Sequence, residues 1–321
     1  MGLRIFVLLG TLLAATISAA TAETLKVAVP QRGFWDSEFV EFALLRGSFK
    51  KEGIDVEIFW TSGGSETLQT VMTGSADIAM SNGTLGVVSA YFKGAPVRII
   101  GAEMTGVHEV YWYVPANSPI KTINDIEGKT IAFSRPGSST NLMVLNLLKE
   151  YKVNAKPVST GGLPATHTQV MSGQIDVGWA VPPFGVQDMS DGKIRVVVKA
   201  GDIKGMQDQS IRVNVANLNS LNSKRDAITK FMKIVAETID WCYEGGANPE
   251  CMKMYAEIAK VPVPVATRTV KDFFPKSALQ ISEVKGLQKT LDEALQYKRI
   301  TEKKTEKDAA GMIDIVYKPK M

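Results

Sequence analysis

Apolar and polar positions alternate between two periods along the chain. Leu25–Val29 is a short apolar run, followed by a helical pattern with Phe39, Phe42, Ala43 and Phe49 on one face. Ile54–Trp60 alternates as a half-buried strand does. Ser62-Gly63-Gly64-Ser65 turns into a helix carrying Leu68, Val71 and Met72, and Gly74 ends it. Asp77–Met80 reads as a strand, Thr84–Phe92 as a helix closed by Gly94, and Val97–Ile100 as a strand. The plan then recurs. Lys129–Phe133 is a strand, and Ser138–Tyr151 a helix with Leu142, Leu145 and Leu148 inward. Ala155–Ser159 feeds Gly161-Gly162 and a helix through His167 that Gly173 ends; strands Ile175–Ala180 and Arg195–Lys199 follow. From Ser220 the chain is mainly helical, over Ala227–Tyr243, Glu250–Lys260 and Leu287–Ala294. Repeated βα alternation predicts an α/β fold with mostly parallel sheets and helices on both faces.

The recurrence is also literal. Thr70–Ala79 (TVMTGSADIA) lines up with Gln169–Gly178 (QVMSGQIDVG), 99 residues on, with Met, Gly, Asp and Val at matching places. Each copy follows a Gly-Gly pair, Gly63-Gly64 and Gly161-Gly162, with one residue of length difference. A period this long implies two similar lobes, because solenoid repeats run ~20–50 residues. Asp77 and Asp176 occupy equivalent turns and read as caps at strand starts rather than as an acid–base pair.

The first 22 residues do not belong to this pattern. Arg4 supplies a positive start, Ile5–Leu13 a short apolar core, and Ala20-Thr21-Ala22 a small-x-small cleavage site. Residues 1–22 are therefore expected to be a cleavable export signal, too short in its apolar core for the ~20 residues of a spanning helix. Export makes the compartment oxidising. Cys242 and Cys251 flank a Gly-Gly-Ala-Asn-Pro turn between two helices, so a disulfide stapling that turn is expected; two buried free thiols are the alternative.

At 321 residues, 45% hydrophobic and 22% charged, the chain is globular in composition and long enough for two domains. Lys and Arg total 37 against 33 Asp and Glu, with no long basic run, which argues against nucleic acid as a partner. Two His and two Cys would all be needed to build one zinc site, so no metal is expected.

Three turns set Gly and hydroxyl residues just before a helix: Ser62–Ser65, Pro136–Thr140 and Thr160–Gly162. Glycine admits a ligand close to the backbone, and free N–H groups at a helix start attract negative charge. Gly63, Gly64, Ser65, Gly137, Ser138, Ser139, Thr140, Gly161 and Gly162 are accordingly assigned to a ligand, with Ser81 and Asn82 beside them; plain N-capping is the alternative. Trp35, Trp60, Trp112 and Trp179 fall near the C-terminal ends of strands, the edge where open α/β sheets bind ligands. Trp35, next to Phe34, is the first choice as a flat ligand-facing ring, and Trp179 the second. His108 and His167 sit in no nucleophile or metal motif, so no catalytic residue is assigned.

The run Gly63–Ala79, together with Asn124–Phe133 and Arg135–Thr140, resembles the nitrate/sulfonate/taurine-type substrate-binding proteins of ABC importers. That group is related to binders of the thiamine pyrimidine precursor. The resemblance covers roughly residues 24–215. It implies a two-lobed, type II periplasmic binding protein fold, with lobe one formed by residues 24–111 plus 211–321 and lobe two by 112–210. Hinge crossings would fall near Val110–Val114 and Ile211–Val215. It further implies a periplasmic, monomeric protein that captures a small anionic or heterocyclic solute between its lobes and passes it to an ABC-transporter permease, without a cofactor. The Cys-rich iron-binding run of the related fungal pyrimidine synthases is missing. An enzyme on the same scaffold and a sensor feeding a signalling receptor remain as alternatives.

Overall fold

The computed structural model describes residues 23–319; the expected export signal lies outside the described residues. Ten strands are present among them: β1 Glu23–Pro30, β2 Ile54–Thr61, β3 Ile78–Gly83, β4 Val97–Thr105, β5 Tyr111–Pro115, β6 Thr130–Phe133, β7 Lys156–Ser159, β8 Gly178–Ala180, β9 Ile194–Lys199 and β10 Ser210–Asn217. The first sheet has the order β2-β1-β3-β10-β4. In the second, β8-β5-β9 joins β7-β6 where Ala132 N donates to Val177 O at 2.8 Å and Val177 N to Thr130 O at 3.1 Å. Its order, β7-β6-β8-β5-β9, repeats that of the first. The two lobes are copies of one plan.

The sheets are mixed rather than mostly parallel. β10 runs antiparallel to β3 and β4, and β5 antiparallel to β8 and β9. Parallel neighbours need a crossover on a sheet face, whereas β5 and β10 arrive directly from the other lobe. The links that bring them are residues 106–110 and 200–209. The segments expected as hinge therefore lie largely inside β5 and β10, one step along the chain from the connections.

The echo between lobes is structural. Asp77 Oδ2 accepts the β1 amide of Lys26 at 2.9 Å, and Asp176 Oδ2 accepts that of Thr130 on β6 at 2.8 Å. Thr61 and Thr67 share a hydroxyl contact of 2.6 Å, as do Thr160 and Thr166. Thr67 donates to Gly63 O and Thr166 to Gly162 O, each at 3.0 Å. Asp77 and Asp176, Thr61 and Thr160, and Thr67 and Thr166 are each 99 positions apart, so Gly63 corresponds to Gly162 and from that glycine to the aspartate the copies have no one-residue length difference.

Helices Gly64–Met72, Thr84–Phe92, Ser139–Tyr151 and Leu163–Met171 form where the apolar spacing predicts. In Ser139–Tyr151 the core positions are Leu142, Met143, Val144 and Leu147, while Leu145 and Leu148 are half-buried. A strict three-residue step drifts off the face of a 3.6-residue helix. Beyond Arg225–Cys242 and Pro249–Ala259 stands a further helix, Val263–Phe273, which the paired prolines 262 and 264 obscure in the sequence but tolerate at its first turn. Cys242 and Cys251 form a disulfide with Cα atoms 5.3 Å apart, both fully buried, in the turn where it is expected.

Candidate functional site

Three helices of lobe one and lobe two start at the same place. Gly64–Met72 and Thr84–Phe92 begin at the ends of β2 and β3, and Ser139–Tyr151 begins after β6. The amides of Gly64, Ser139 and Thr140 lie in first turns, where no intrahelical acceptor exists, and take none from elsewhere among the described residues. Gly64, Ser139 and Thr140 line a cavity of about 50 Å³ together with Gln31, Phe34, Asp36, Trp179 and Arg212. That is room for about three or four waters, the bulk of a small oxyanion head. Past Gln31 and Phe34 lies a larger cleft of about 630 Å³, walled by Leu163, Pro164, Phe184, Ile258 and Val261.

Trp179, at the middle of β8, is 2% exposed and its Nε1 has no acceptor among the described residues. A buried donor left unpaired costs about 1–3 kcal/mol, so this wall is complete only with an acceptor against it. Ser139 Oγ accepts from Arg212 Nη1 at 3.2 Å, leaving the Ser139 hydroxyl proton free to donate. Ser138 has no such freedom. Its Oγ caps the helix by accepting from Asn141 N at 3.2 Å, and closes a hydroxyl triangle with Ser134 and Thr140 at 2.9 and 3.0 Å.

Beneath the cavity lies a buried charge cluster. Arg212 on β10 meets Asp36 through Nε at 2.9 Å and Glu109 through Nη2. Burial works against its charge, but Asp36, Glu109 and Glu103 outweigh this and hold Arg212 protonated above its ordinary range. Burial raises the Asp36 and Glu103 carboxyls, with the neighbouring acids adding to the rise. Glu103 receives both the amide and the hydroxyl of Ser81. Ser81 itself stands at φ 55°, a left-handed conformation unusual for serine, and its amide contact with Glu103 helps hold it there. Nearby, burial pushes Glu38 up to about 8.

The sequence assignments divide cleanly. Phe34, Gly63, Gly64, Ser81, Ser138, Ser139, Thr140 and Trp179 are on the cavity wall. Trp35 is not. It is fully buried in lobe one against Phe39, Phe42, Tyr243 and Tyr255, and its Nε1 donates to Tyr243 Oη at 2.8 Å. Asn82 is buried with its amide tied to Ala79 O and Val213 O at 2.8 and 3.3 Å. Ser65 and Gly137 belong to the seam between lobes: Ser65 Oγ donates to Pro136 O at 3.1 Å, and Gly137 O packs on Gly83 and Gly86. Gly161 donates its amide to Ser134 O at 3.0 Å, and Gly162 lines only the larger cleft. Arg135 pairs with Glu66 across the seam at 2.6 Å.

Arg212, Asp36, Ser37 and Ser134 are wall residues that the sequence reading missed. Arg212 left a signal: it is the lone charge in the run Ile211–Ala216, among Ile211, Val213, Val215 and Ala216, where an unpaired charge would be costly. Asp36 left none, since an acid beside a tryptophan in a loop has no periodicity to betray it.

Two lobes of matching strand order, with helix starts from both meeting at one cavity, define a two-lobed periplasmic-binding-protein fold. Within it, the chain belongs to the NMT1/THI5-like family, whose model matches residues 39–250. The periplasmic aliphatic sulphonate binding protein SsuA from Escherichia coli superposes with a TM-score of 0.69 at 20% identity, over 91% of this chain and 97% of that one. The alkanesulfonate-binding protein SsuA from Xanthomonas axonopodis pv. citri, bound to MOPS, gives 0.75 at 16% identity, over 92% and 100%. A protein of Escherichia coli (strain K12) named for binding aliphatic sulfonates is 27% identical over 143 residues. That match spans 44% of each chain, less than half the length of the relative.

Proposed function

We propose that this chain is an exported solute-binding protein that captures a small anionic or heterocyclic solute between its lobes and delivers it to an ABC-transporter permease. The observation carrying the reading is the unpaired, buried Nε1 of Trp179 beside the free amides of Gly64, Ser139 and Thr140 in one cavity. The four residues that carry these donors come from both lobes and line one small volume, which a negative or acceptor-rich group suits. The names of the sulfonate-binding relatives fit a solute of that kind. Cleavage of residues 1–22 would place the mature, monomeric protein in the periplasm, and no catalytic pair is assigned.

Capture requires opening and closing. The bodies that move are residues 24–111 with 211–321 against 112–210, and the seam contacts Glu66–Arg135, Ser65–Pro136 and Arg299–Asn141 form as they close. Ligand bridging both lobes shifts the population towards the closed form. A thermal-shift screen over sulfonates, nitrate, carboxylates and flat heterocycles tests the reading. A ligand at one hundred times its Kd adds about 2.7 kcal/mol of stability, and a protein that no solute stabilises is not a binder of these classes.

A further inference from the structure

Resting on that reading of the cavity as a solute site, we propose that an anionic solute is captured together with one proton, which the Asp36 carboxyl takes up and holds against it. Among the residues that line the cavity, Asp36 and Arg212 alone are charged, and those contributed by lobe two are all neutral. Asp36 Oδ2 stands 2.9 Å from Arg212 Nε, at ion-pair distance, yet that Nε finds no hydrogen-bond acceptor among the described residues. Arg212 thus keeps a buried N–H to offer, as Trp179 does. A solute acceptor that meets Arg212 competes with Asp36 for the same guanidinium. Behind this pair the sum is already negative. Glu109, fully buried in the link 106–110, meets Arg212 Nη2, and Glu103 on β4 adds to the field on the same group. Three carboxyls share one guanidinium, and a solute anion brings a fourth negative charge.

Like charges in a space nearly closed to water repel far more strongly than in bulk solvent. A proton cancels one of them, and the acid on the cavity wall is the one placed to take it. Asp36 is 4% exposed, and its burial already favours the neutral carboxyl. Once protonated, the carboxyl gains an O–H and meets the solute as a donor instead of a repelling anion. The proton comes from solvent and returns there on release; only that O–H bond is made and broken. The other titratable groups around Asp36 have partners or protons of their own. Glu103 receives the amide and hydroxyl of Ser81, Glu109 the amide of His108, and Glu38 the amide of Gly33. Tyr243 and Tyr255, which feel the charge of Asp36, keep their protons because burial raises both hydroxyls.

Calorimetric titration of the mature wild-type protein with ethanesulfonate and with nitrate tests this, since both are anions of strong acids and bring no proton of their own. Runs at pH 7 in Bis-Tris and in Tris, cationic buffers of different ionisation enthalpy, count the protons taken up. About one-half to one proton per bound anion is expected, with affinity at least tenfold weaker at pH 8 than at pH 6. Asp36→Asn, neutral throughout that range, is expected to take up no proton, to lose the pH dependence and to bind the anion at pH 8 at least as tightly as wild type. A residue that only supported the fold would not yield that gain. If the variant fails to fold, the wild-type proton count decides alone. Binding without proton uptake and with equal affinity at both pH values, or a folded variant that still takes up the proton, overturns the inference and leaves solute capture standing. If neither anion binds while another solute of the wider screen does, the inference falls and capture stands. If no solute binds at all, the proposed function falls with it.

Discussion

The two tryptophans that looked alike in the sequence have opposite fates, and the difference lies in one atom each. Trp35 Nε1 is satisfied by Tyr243 Oη, which in turn donates to Phe274 O at 2.6 Å, so the ring is a core anchor. Trp179 Nε1 is unsatisfied. Trp35→Ala should lower stability by about 3–5 kcal/mol in denaturant titration, as large-to-small core changes do. Ser138→Ala should likewise act on stability, by about 1 kcal/mol through the lost helix cap, whereas Ser139→Ala should act on solute affinity. Calorimetry on the two serine variants checks the split; a larger affinity loss in Ser138→Ala would reverse it. The hydroxyl and glycine positions of the site were legible because helix starts have a local signature. The partner that decides whether a hydroxyl is free, Arg212 for Ser139 and Asn141 for Ser138, lies outside any local window in the first case and is ambiguous in the second.

Among elements, the lobes meet glycine against glycine, with Gly83 and Gly86 packed on Gly137. A Cβ on Gly86 would stand 2.7 Å from Gly137 O, and one on Gly83 would stand 2.6 Å from the same oxygen. The atoms met by Gly86 all belong to Gly137, in the opposite lobe. Gly86→Ala thus separates two effects of opposite sign. Alanine raises helix propensity by about 1 kcal/mol, so the ligand-free protein should melt no lower than wild type. Closure is obstructed, so solute affinity should fall at least tenfold. Thermal melts and calorimetry on the same sample read both; unchanged affinity would mean that the seam is not a closing surface. The order of elements was readable from hydrophobic periodicity, and even the 99-residue echo survived as shared hydrogen bonds. Strand direction was not readable. β5 and β10 carry no mark of direction in their residues, and their antiparallel setting follows from entering out of the other lobe, a long-range fact.

The whole molecule carries acids of two kinds, and their directions fix its pH response. Glu38 is raised from an ordinary 4.5 to about 8 by burial, so the folded chain holds a proton that the unfolded chain releases. Its contribution is fully present below about 4.5 and is lost as pH rises through about 8; Asp36 and Glu103 act in the same sense. Glu66, lowered to about 2 by its hydrogen bonds from Ser62 and Arg135, acts oppositely: its contribution is present above about 4.5 and is lost as pH falls towards 2. Calorimetric Tm should therefore be higher at pH 5 than at pH 8.5, by roughly 2–8 °C for about 1–2 kcal/mol, and Glu38→Gln should flatten that slope. A Tm that rises between those two values of pH would contradict the assignment.

One measurement bears on solute capture most directly. The first solute to stabilise the protein in the thermal screen is titrated into wild type and into Trp179→Phe, which keeps an aromatic ring and removes the indole N–H. Binding in wild type is expected to be one-to-one, with a loss of at least tenfold in the variant, since about 1–3 kcal/mol rides on that donor and about 1.4 kcal/mol is a factor of ten. Equal affinity in a folded Trp179→Phe protein would place the solute elsewhere and contradict the site.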